Sequence, residues 1–373
     1  MVIEHLSPLH YLLSRQSRQF HLEDHVDEVF GEKMVVSKVW YLSRRPEGAP
    51  KKDDFTLKEE ELPPCGDGDV IVVAEYVSVD PYLRYRARQI ELDTVMTGTA
   101  VCRVVESKNK DWPEGSYLVH NTGWRTHTLI RKDSLESSSY FGGCFRIPDF
   151  DGLPRSLSLG ALGMPGNTAY FGFLEICNPK AGETVLVNCA AGAVGSLVVQ
   201  IAKLKGCKVI GFTGSDEKVS YLNDIGADHA FNYKTTNIGE ALEKAAPEKI
   251  NCYFDNVGGQ FTAEALPHMA EYGRISICGA ISTYNDESKD IGKVTMTSPY
   301  SEATILWKQL RVEGFIVVRW QDRWMEGIEQ IKQWITEGKI KYRETITDGF
   351  DKVPDAFIGL FSGENIGKAI VKV

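Results

Sequence analysis

From Met34 to about residue 160 the chain changes polarity in short runs, without recurring at helical spacing. The β-branched runs "DVIVVAEYVSVDP", "AVCRVVES" and "SYLVH" are separated by "PPCGDGD", "DWPEG" and "NTGW", a pattern of strands joined by turns. This predicts a β-rich domain in which "LPP" and "GDGD" are solvated loops. From about residue 181 the rhythm changes. "ETVLVN" reads as a short apolar strand, and "VGSLVVQIAKLKG" carries apolar residues at helical spacing before a glycine stop. "KVIGFT" is then a second strand and "DEKVSYLNDIG" a second helix. The alternation continues through "HAFNY", "IGEALEKAA", "INCYFDNV", "FTAEALPHM", "GRISICGAI", "EATILWKQL" and "VEGFIVV". Repetition of this kind predicts an α/β, doubly wound parallel sheet with helices on both faces. The closing stretch from "YRETITDGF" returns to strand and short helix. It is expected to fold back, so that residues 34–160 and 341–373 form the β-rich domain around an α/β domain at 161–340.

Residues 1–33 stand apart. "PLHYLLSRQSRQF" bears Arg15 and Arg18 without an acid, then "HLEDHVDEVFGE" turns acidic. A poorly ordered extension is the favoured reading, and a mitochondrial presequence the alternative, against which the acidic half counts.

Composition narrows the function class. The 373 residues allow two cores. The formal net charge of −9, with no long basic run, argues against nucleic acid or an anionic membrane as partner. No apolar stretch approaches the roughly 20 residues of a membrane span. The eight cysteines are scattered singly, as in a reducing, cytoplasmic setting. No C-x-x-C pair or His/Cys cluster suggests a metal site.

Candidate chemistry begins at "NCAAGAVGS", directly behind the first strand of the α/β half. Dinucleotide-binding folds place glycines there, so that the chain turns sharply and aims a helix N-terminus at the pyrophosphate. Here the spacing runs Ala190, Ala191, Gly192, Ala193, Val194, Gly195, with Ala190 where the first glycine would stand. Alone such a run is either a phosphate cradle or a tight turn; the strand–turn–helix–strand context favours the cradle. The second strand ends in Thr213, Gly214 and Ser215 with Lys218 just beyond. No acid occupies the strand tip to bind a ribose 2′-hydroxyl, so NADPH is favoured over NADH. Asp216 and Glu217 read as first-turn helix residues.

The motifs "SVDPYLR" (78–84), "GMPGNTAYFG" (163–172), "AAGAVGS", "GSDEKVSYL", "CYFDNVGG" and "CGAISTYN" together resemble the zinc-independent prostaglandin reductase 1 branch of the medium-chain dehydrogenase/reductase superfamily. That branch is also called leukotriene B4 12-hydroxydehydrogenase. The resemblance runs from about residue 34 to the C-terminus. It implies a Rossmann-type cofactor domain beside a GroES-like catalytic domain, NADPH as cofactor, and a homodimer formed through the cofactor domain. It also implies reduction of the carbon–carbon double bond of α,β-unsaturated ketones and aldehydes, with a small lipid enone or enal as substrate. Zinc-dependent members keep a catalytic Cys and a Gly-His-Glu motif where this chain reads "VSVDPYLR" and "MTGTAVCRVV", so the resemblance implies no metal.

Carried over residue by residue, it implies that Gly192, Ala193, Val194 and Gly195 hold the pyrophosphate and that Lys218 and Tyr233 bind the 2′-phosphate. Asn256, the run Cys278, Gly279, Ala280, Ile281, Ser282, Thr283 and Tyr284, the backbone of Phe315, Ile316 and Val317, and Asn365 would surround the nicotinamide half. Tyr284 is the catalytic candidate, as a hydrogen-bond donor to the enolate. Trp307 stands where the family has a tyrosine proposed to assist proton transfer. An indole N–H donates a hydrogen bond but delivers no proton, so either that tyrosine is dispensable or another group substitutes. Tyr300 is a weaker candidate from the same stretch. Tyr82 and Arg84 are substrate candidates, Arg84 either for a carboxylate or as a structural ion pair. His120 and His127 read as surface or core histidines, and Trp124 as packing. Two alternatives remain: a quinone reductase of the same superfamily, and a crystallin-like cofactor-binding protein without turnover.

Overall fold

The computed structural model describes residues 34–137, 144–286 and 299–373; residues 1–33, and with them the choice between presequence and tail, lie outside the described residues. The first half contains strands β1 (Val36–Leu42), β2 (Phe55–Glu61), β3 (Val70–Ser78), β4 (Thr94–Val95), β5 (Ala100–Ser107), β6 (Tyr117–His120), β7 (His127–Ile130) and β8 (Phe145–Arg146). Helices α1 (Leu83–Gln89) and α2 (Lys132–Glu136) interrupt them. α1 falls in a stretch that reads as strand and turn from sequence. Pro81 closes the preceding strand, and Leu83 and Ala87, one turn apart, supply a buried helical face.

The α/β half opens with α3 (Met164–Phe171) and alternates β9 (Thr184–Val187), α4 (Gly195–Leu204), β10 (Lys208–Thr213), α5 (Asp216–Asp224), β11 (His229–Asn232), α6 (Ile238–Ala245), β12 (Ile250–Asp255) and α7 (Gly259–Ala265). It continues with β13 (Met269–Ile277), α8 (Glu302–Lys308), β14 (Arg311–Gly314) and α9 (Trp324–Thr336). The chain ends in β15 (Glu344–Asp348), α10 (Val353–Ser362) and β16 (Lys368–Lys372).

The six strands of the α/β half lie in the order β11-β10-β9-β12-β13-β14, and every pairing is parallel. The order reverses between β9 and β12, which opens a crevice at the carboxyl ends of the strands. β9 is buried at all four positions, as a central strand covered on both faces must be. Local chemistry sets the helix starts: the Ser215 side chain accepts from Lys218 N and that of Asn237 from Glu240 N. "VEGFIVV" is less of a strand than its composition suggests. β14 stops at Gly314, and the Phe315 ring turns in so tightly that a Cβ on Gly172 would lie 2.2 Å from its Cζ.

In the β-rich half β2-β1-β4 form a small sheet, and a larger one runs β15-β16-β3-β5-β6-β8 with β7 also on β3. β16 pairs antiparallel with β3, Ile370 opposite Ser78, so the C-terminal strand completes the sheet begun by residue 70. Fully buried Trp124 fills its core, 5.2 Å from the Phe55 ring and 5.6 Å from the Phe357 ring.

Candidate cofactor and substrate cleft

The glycine-rich turn sits at the end of β9. Its left-handed residue is Cys189, with φ 46°, while Ala190 is buried and donates its N–H to Phe212 O at 2.9 Å. The tight conformation thus falls one position before the missing glycine, so alanine at 190 meets no conformational demand. Gly195 is different: a Cβ there would lie 2.4 Å from Cys189 O and 2.8 Å from Ala190 Cα. α4 begins at Gly195, and no side chain caps its N-terminus. A helix start left uncapped behind a strand, reached through a turn that excludes a side chain, fits a pyrophosphate. The C-terminal segment lies against the turn: Gly367 donates N–H to Ala191 O at 2.7 Å, and Asn365 Nδ2 donates to Gly367 O at 2.8 Å.

At the tip of β10, both acids of the first helical turn have partners. Asp216 accepts from Asn232 Nδ2 at 2.8 Å and Glu217 pairs with Arg343 at 3.3 Å. Lys218 Nζ donates to Gly363 O, 2.7 Å away at the left-handed end of α10. Burial holds this ammonium below the usual lysine range, and the charge of Lys234 pushes the same way. Tyr233 is exposed and lies over Gly214, whose Cβ would come within 3.3 Å of the phenol oxygen.

At the other side of the crevice, buried Asp255 ends β12 and gathers five donors. These are Asn188 Nδ2 (2.8 Å), Val257 N (3.0 Å), Gly258 N (2.8 Å), Thr262 Oγ1 (2.6 Å) and Tyr300 Oη (2.9 Å). Tyr300, a candidate to swing toward substrate, is held here against Asp255. Asn256 is tied to the tip of β9 through Asn188 Oδ1 (2.6 Å) and Asn188 O (2.9 Å). The Cys278–Tyr284 loop hangs from this point, Cys278 N and Gly279 N both donating to Asp255 O. Burial pushes the Cys278 thiol up to about 12 and raises the Tyr284 phenol. The Tyr284 oxygen accepts from Ala280 N at 3.4 Å. Arg88 of α1 reaches across to this loop, donating to Tyr284 O at 3.0 Å and to Asp286 O. Sequence reading did not single out Arg88, because its partners lie almost 200 residues away. Phe315 donates N–H to Ile277 O at 3.4 Å, Val317 is buried, and Ile316 is exposed.

The segments "VSVDPYLR" and "MTGTAV" meet where Ser78 N donates to Thr99 O at 2.8 Å. Ser78 Oγ donates to Asp80, which pairs with buried Lys368 at 3.1 Å. Beside them lies a cavity of about 50 Å³ lined by Ser78, Thr99, Phe145, Leu162, Met164 and Trp324. Burial and nearby Asp80 push the Tyr82 phenol well above its usual range, against a hydrogen bond with Thr99. Arg84 is buried, with Nη2 on Pro46 O (3.0 Å) and Gly48 O (2.9 Å). It is thus engaged with backbone of its own half rather than with an acid. Trp307 is 79% exposed on α8, outside the groups gathered here. His120 is half-buried with both ring nitrogens unpartnered among the described residues, and burial lowers its pKa to about 4. Among the described residues, no three His, Cys, Asp or Glu side chains form a group that could hold a metal.

Residues 38–137 match the family described as the N-terminal domain of oxidoreductase, and residues 193–333 the family described as zinc-binding dehydrogenase. The chain is 50% identical over 341 residues to prostaglandin reductase 1 of Bos taurus, spanning 91% of this chain and 100% of that protein. It is 39% identical over 352 residues to the NADP(+)-dependent 2-alkenal reductase of Nicotiana tabacum, covering 91% and 98%. Among solved structures, CurA of Vibrio vulnificus in complex with NADPH matches with a TM-score of 0.81 and 35% identity, over 90% of this chain and 99% of that one.

Proposed function

The chain belongs to the prostaglandin reductase 1 family of zinc-independent medium-chain dehydrogenases/reductases, and from that premise we propose how its cleft works. It is an NADPH-dependent oxidoreductase that reduces the carbon–carbon double bond of α,β-unsaturated ketones and aldehydes. The observation that carries the cofactor reading is the tip of β10, where Lys218 stands in the cleft and both neighbouring acids are paired elsewhere. The Gly192–Gly195 turn and α4 receive the pyrophosphate, and Lys218 and Tyr233 the 2′-phosphate. Asn256, the Cys278–Tyr284 loop, Phe315 to Val317 and Asn365 enclose the nicotinamide half.

Bound NADPH supplies a hydride to the β-carbon of the substrate. The chain must hold the substrate in line and stabilise the negative charge that develops on its carbonyl oxygen. Tyr284 is suited to that: burial keeps the phenol protonated, and its oxygen accepts from Ala280 N, so its own proton remains to be donated. Arg88 steadies the backbone of that loop. The α-carbon takes its proton from water, and Tyr82 lies on the substrate side of the cleft.

Residues 161–340 form the NADPH-binding domain in this reading, and 34–160 with 341–373 the catalytic domain. The substrate is a lipid enone or enal. Among the described residues β14 is the edge strand of its sheet, flanked by exposed Leu306, Trp307 and Ile316, which suits pairing of two copies into a homodimer. Among the described residues no helix is long and apolar enough to cross a membrane. Free, mostly buried cysteines fit the cytoplasm. The test is NADPH oxidation over a panel of a 15-oxoprostaglandin, alkenals and a quinone, with leukotriene B4 and NADP⁺ for the reverse direction. Enones and enals should turn over faster than the quinone. Equal rates with NADH would overturn the cofactor assignment.

A further inference from the structure

At the phosphate end of the cleft, Lys234 is a cation that neither sequence spacing nor family resemblance assigns. Tyr233 and Lys234 follow β11 directly, and Tyr233 N donates to Thr213 O at 3.0 Å, which sets both residues beside the tip of β10. Buried Asn232 fixes their placement with both ends of its amide. Its Oδ1 accepts from Lys234 N at 3.1 Å, and its Nδ2 holds Asp216 at 2.8 Å. One side chain therefore ties back the acid and anchors the lysine. The two side chains converge over Gly214, where a Cβ would lie 3.3 Å from Tyr233 Oη and 3.5 Å from Lys234 Cε. Glycine at this position lets the two side chains close over the tip of β10, since a methyl group there would already touch both.

Charge balance gives the second argument. A ribose 2′-phosphate carries close to two negative charges near neutral pH, as phosphate monoesters do. Lys218 offers one positive charge and already shares it with Gly363 O at 2.7 Å. Lys234 is near enough to depress the Lys218 ammonium, a repulsion that an anion between them would relieve. We infer that Lys234 is a third 2′-phosphate-binding group, acting with Lys218 and Tyr233 to select NADPH over NADH. The inference rests on the NADPH reading above.

The test is calorimetric titration of the full chain with 2′,5′-ADP and 5′-AMP, which differ only in that phosphate and need no substrate. Lys234→Met should weaken 2′,5′-ADP about tenfold, the scale of one charge-assisted contact, and leave 5′-AMP unchanged. Lys234→Arg should restore most of the loss. If Lys234→Met binds 2′,5′-ADP as the parent does while Lys218→Met weakens it, the inference fails and the cofactor reading stands. Equal weakening of both ligands by Lys234→Met means a structural role and overturns the inference. A parent chain that binds the two ligands equally overturns the inference and the NADPH reading together.

Discussion

In the proposed reading, the phosphate end of the cleft draws on short stretches: a turn at Gly192–Gly195, a strand tip at Thr213 to Lys218, and the end of β11 at Tyr233. At the proposed nicotinamide and substrate end, the groups come from α1, the Cys278–Tyr284 loop and the residues after β14, and side chains decide their arrangement. The first region depends on backbone shape, through a left-handed Cys189 and a Gly195 that tolerates no Cβ. The second depends on buried polar side chains. Ser78, Asp80 and Lys368 form a chain beneath the cavity, and Asp255 gathers five donors. Backbone-shaped sites should thus lose binding with a single atom added, whereas side-chain-built sites should lose stability with a single partner removed.

Gly195→Ala tests the first half of that contrast and should show the largest effect. Its Cβ must sit 2.4 Å from Cys189 O or push the turn aside, and NADPH affinity is expected to fall about a hundredfold or more by fluorescence titration. Unchanged affinity would mean the turn is not the cradle. Lys368→Met tests the second half. It strands buried Asp80 without its cation, and urea unfolding should show a loss of about 3–5 kcal/mol. A loss no larger than that of an exposed lysine substitution would show the pair to be unimportant.

His120 makes stability depend on pH. Its pKa is lowered to about 4 from 6.5 by burial, so as pH falls the unfolded chain takes up the proton first. Its effect on stability is absent above pH 6.5, grows as pH drops toward 4, and levels off below, reaching about 3 kcal/mol. In unfolding curves taken across that window, His120→Ala should flatten the slope; an unchanged slope would place the titration elsewhere. The smallest effect is expected from Trp307→Tyr. With the indole 79% exposed, stability should stay within about 0.5 kcal/mol. Enone kcat should stay within about twofold; a large rise in kcat would show that a phenol at this position takes part in proton transfer.

The same division explains what the sequence made legible. Strand–turn–helix order, the helix start at Ser215 and the lysine beyond it depend on neighbours a few residues apart, and periodicity and spacing carry that information. The helix at Leu83–Gln89 was signalled by Pro81 and the Leu83–Ala87 spacing, yet it lay inside β-branched surroundings that pointed to strand. Arg84 reads either as a ligand for a carboxylate or as half of a structural ion pair, because an arginine in a short polar run has no visible partner. Only the folded chain brings the Pro46 and Gly48 carbonyls to it. Arg88 and the anchoring of Tyr300 to Asp255 were out of reach for the same reason: each contact joins elements far apart along the chain. Lys234 sits next to Tyr233, but the approach of both side chains to Gly214 joins the ends of β10 and β11 and is seen only in the folded chain.

The most direct measurement of the central claim uses NADPH carrying deuterium at its transferable position, an enone such as a 15-oxoprostaglandin, and mass spectrometry with NMR of the product. Reduction of the double bond should place one deuterium at the β-carbon of a saturated ketone, with a solvent-derived proton at the α-carbon. Deuterium on the carbonyl carbon of an unsaturated alcohol would contradict it, as would NADPH binding without turnover.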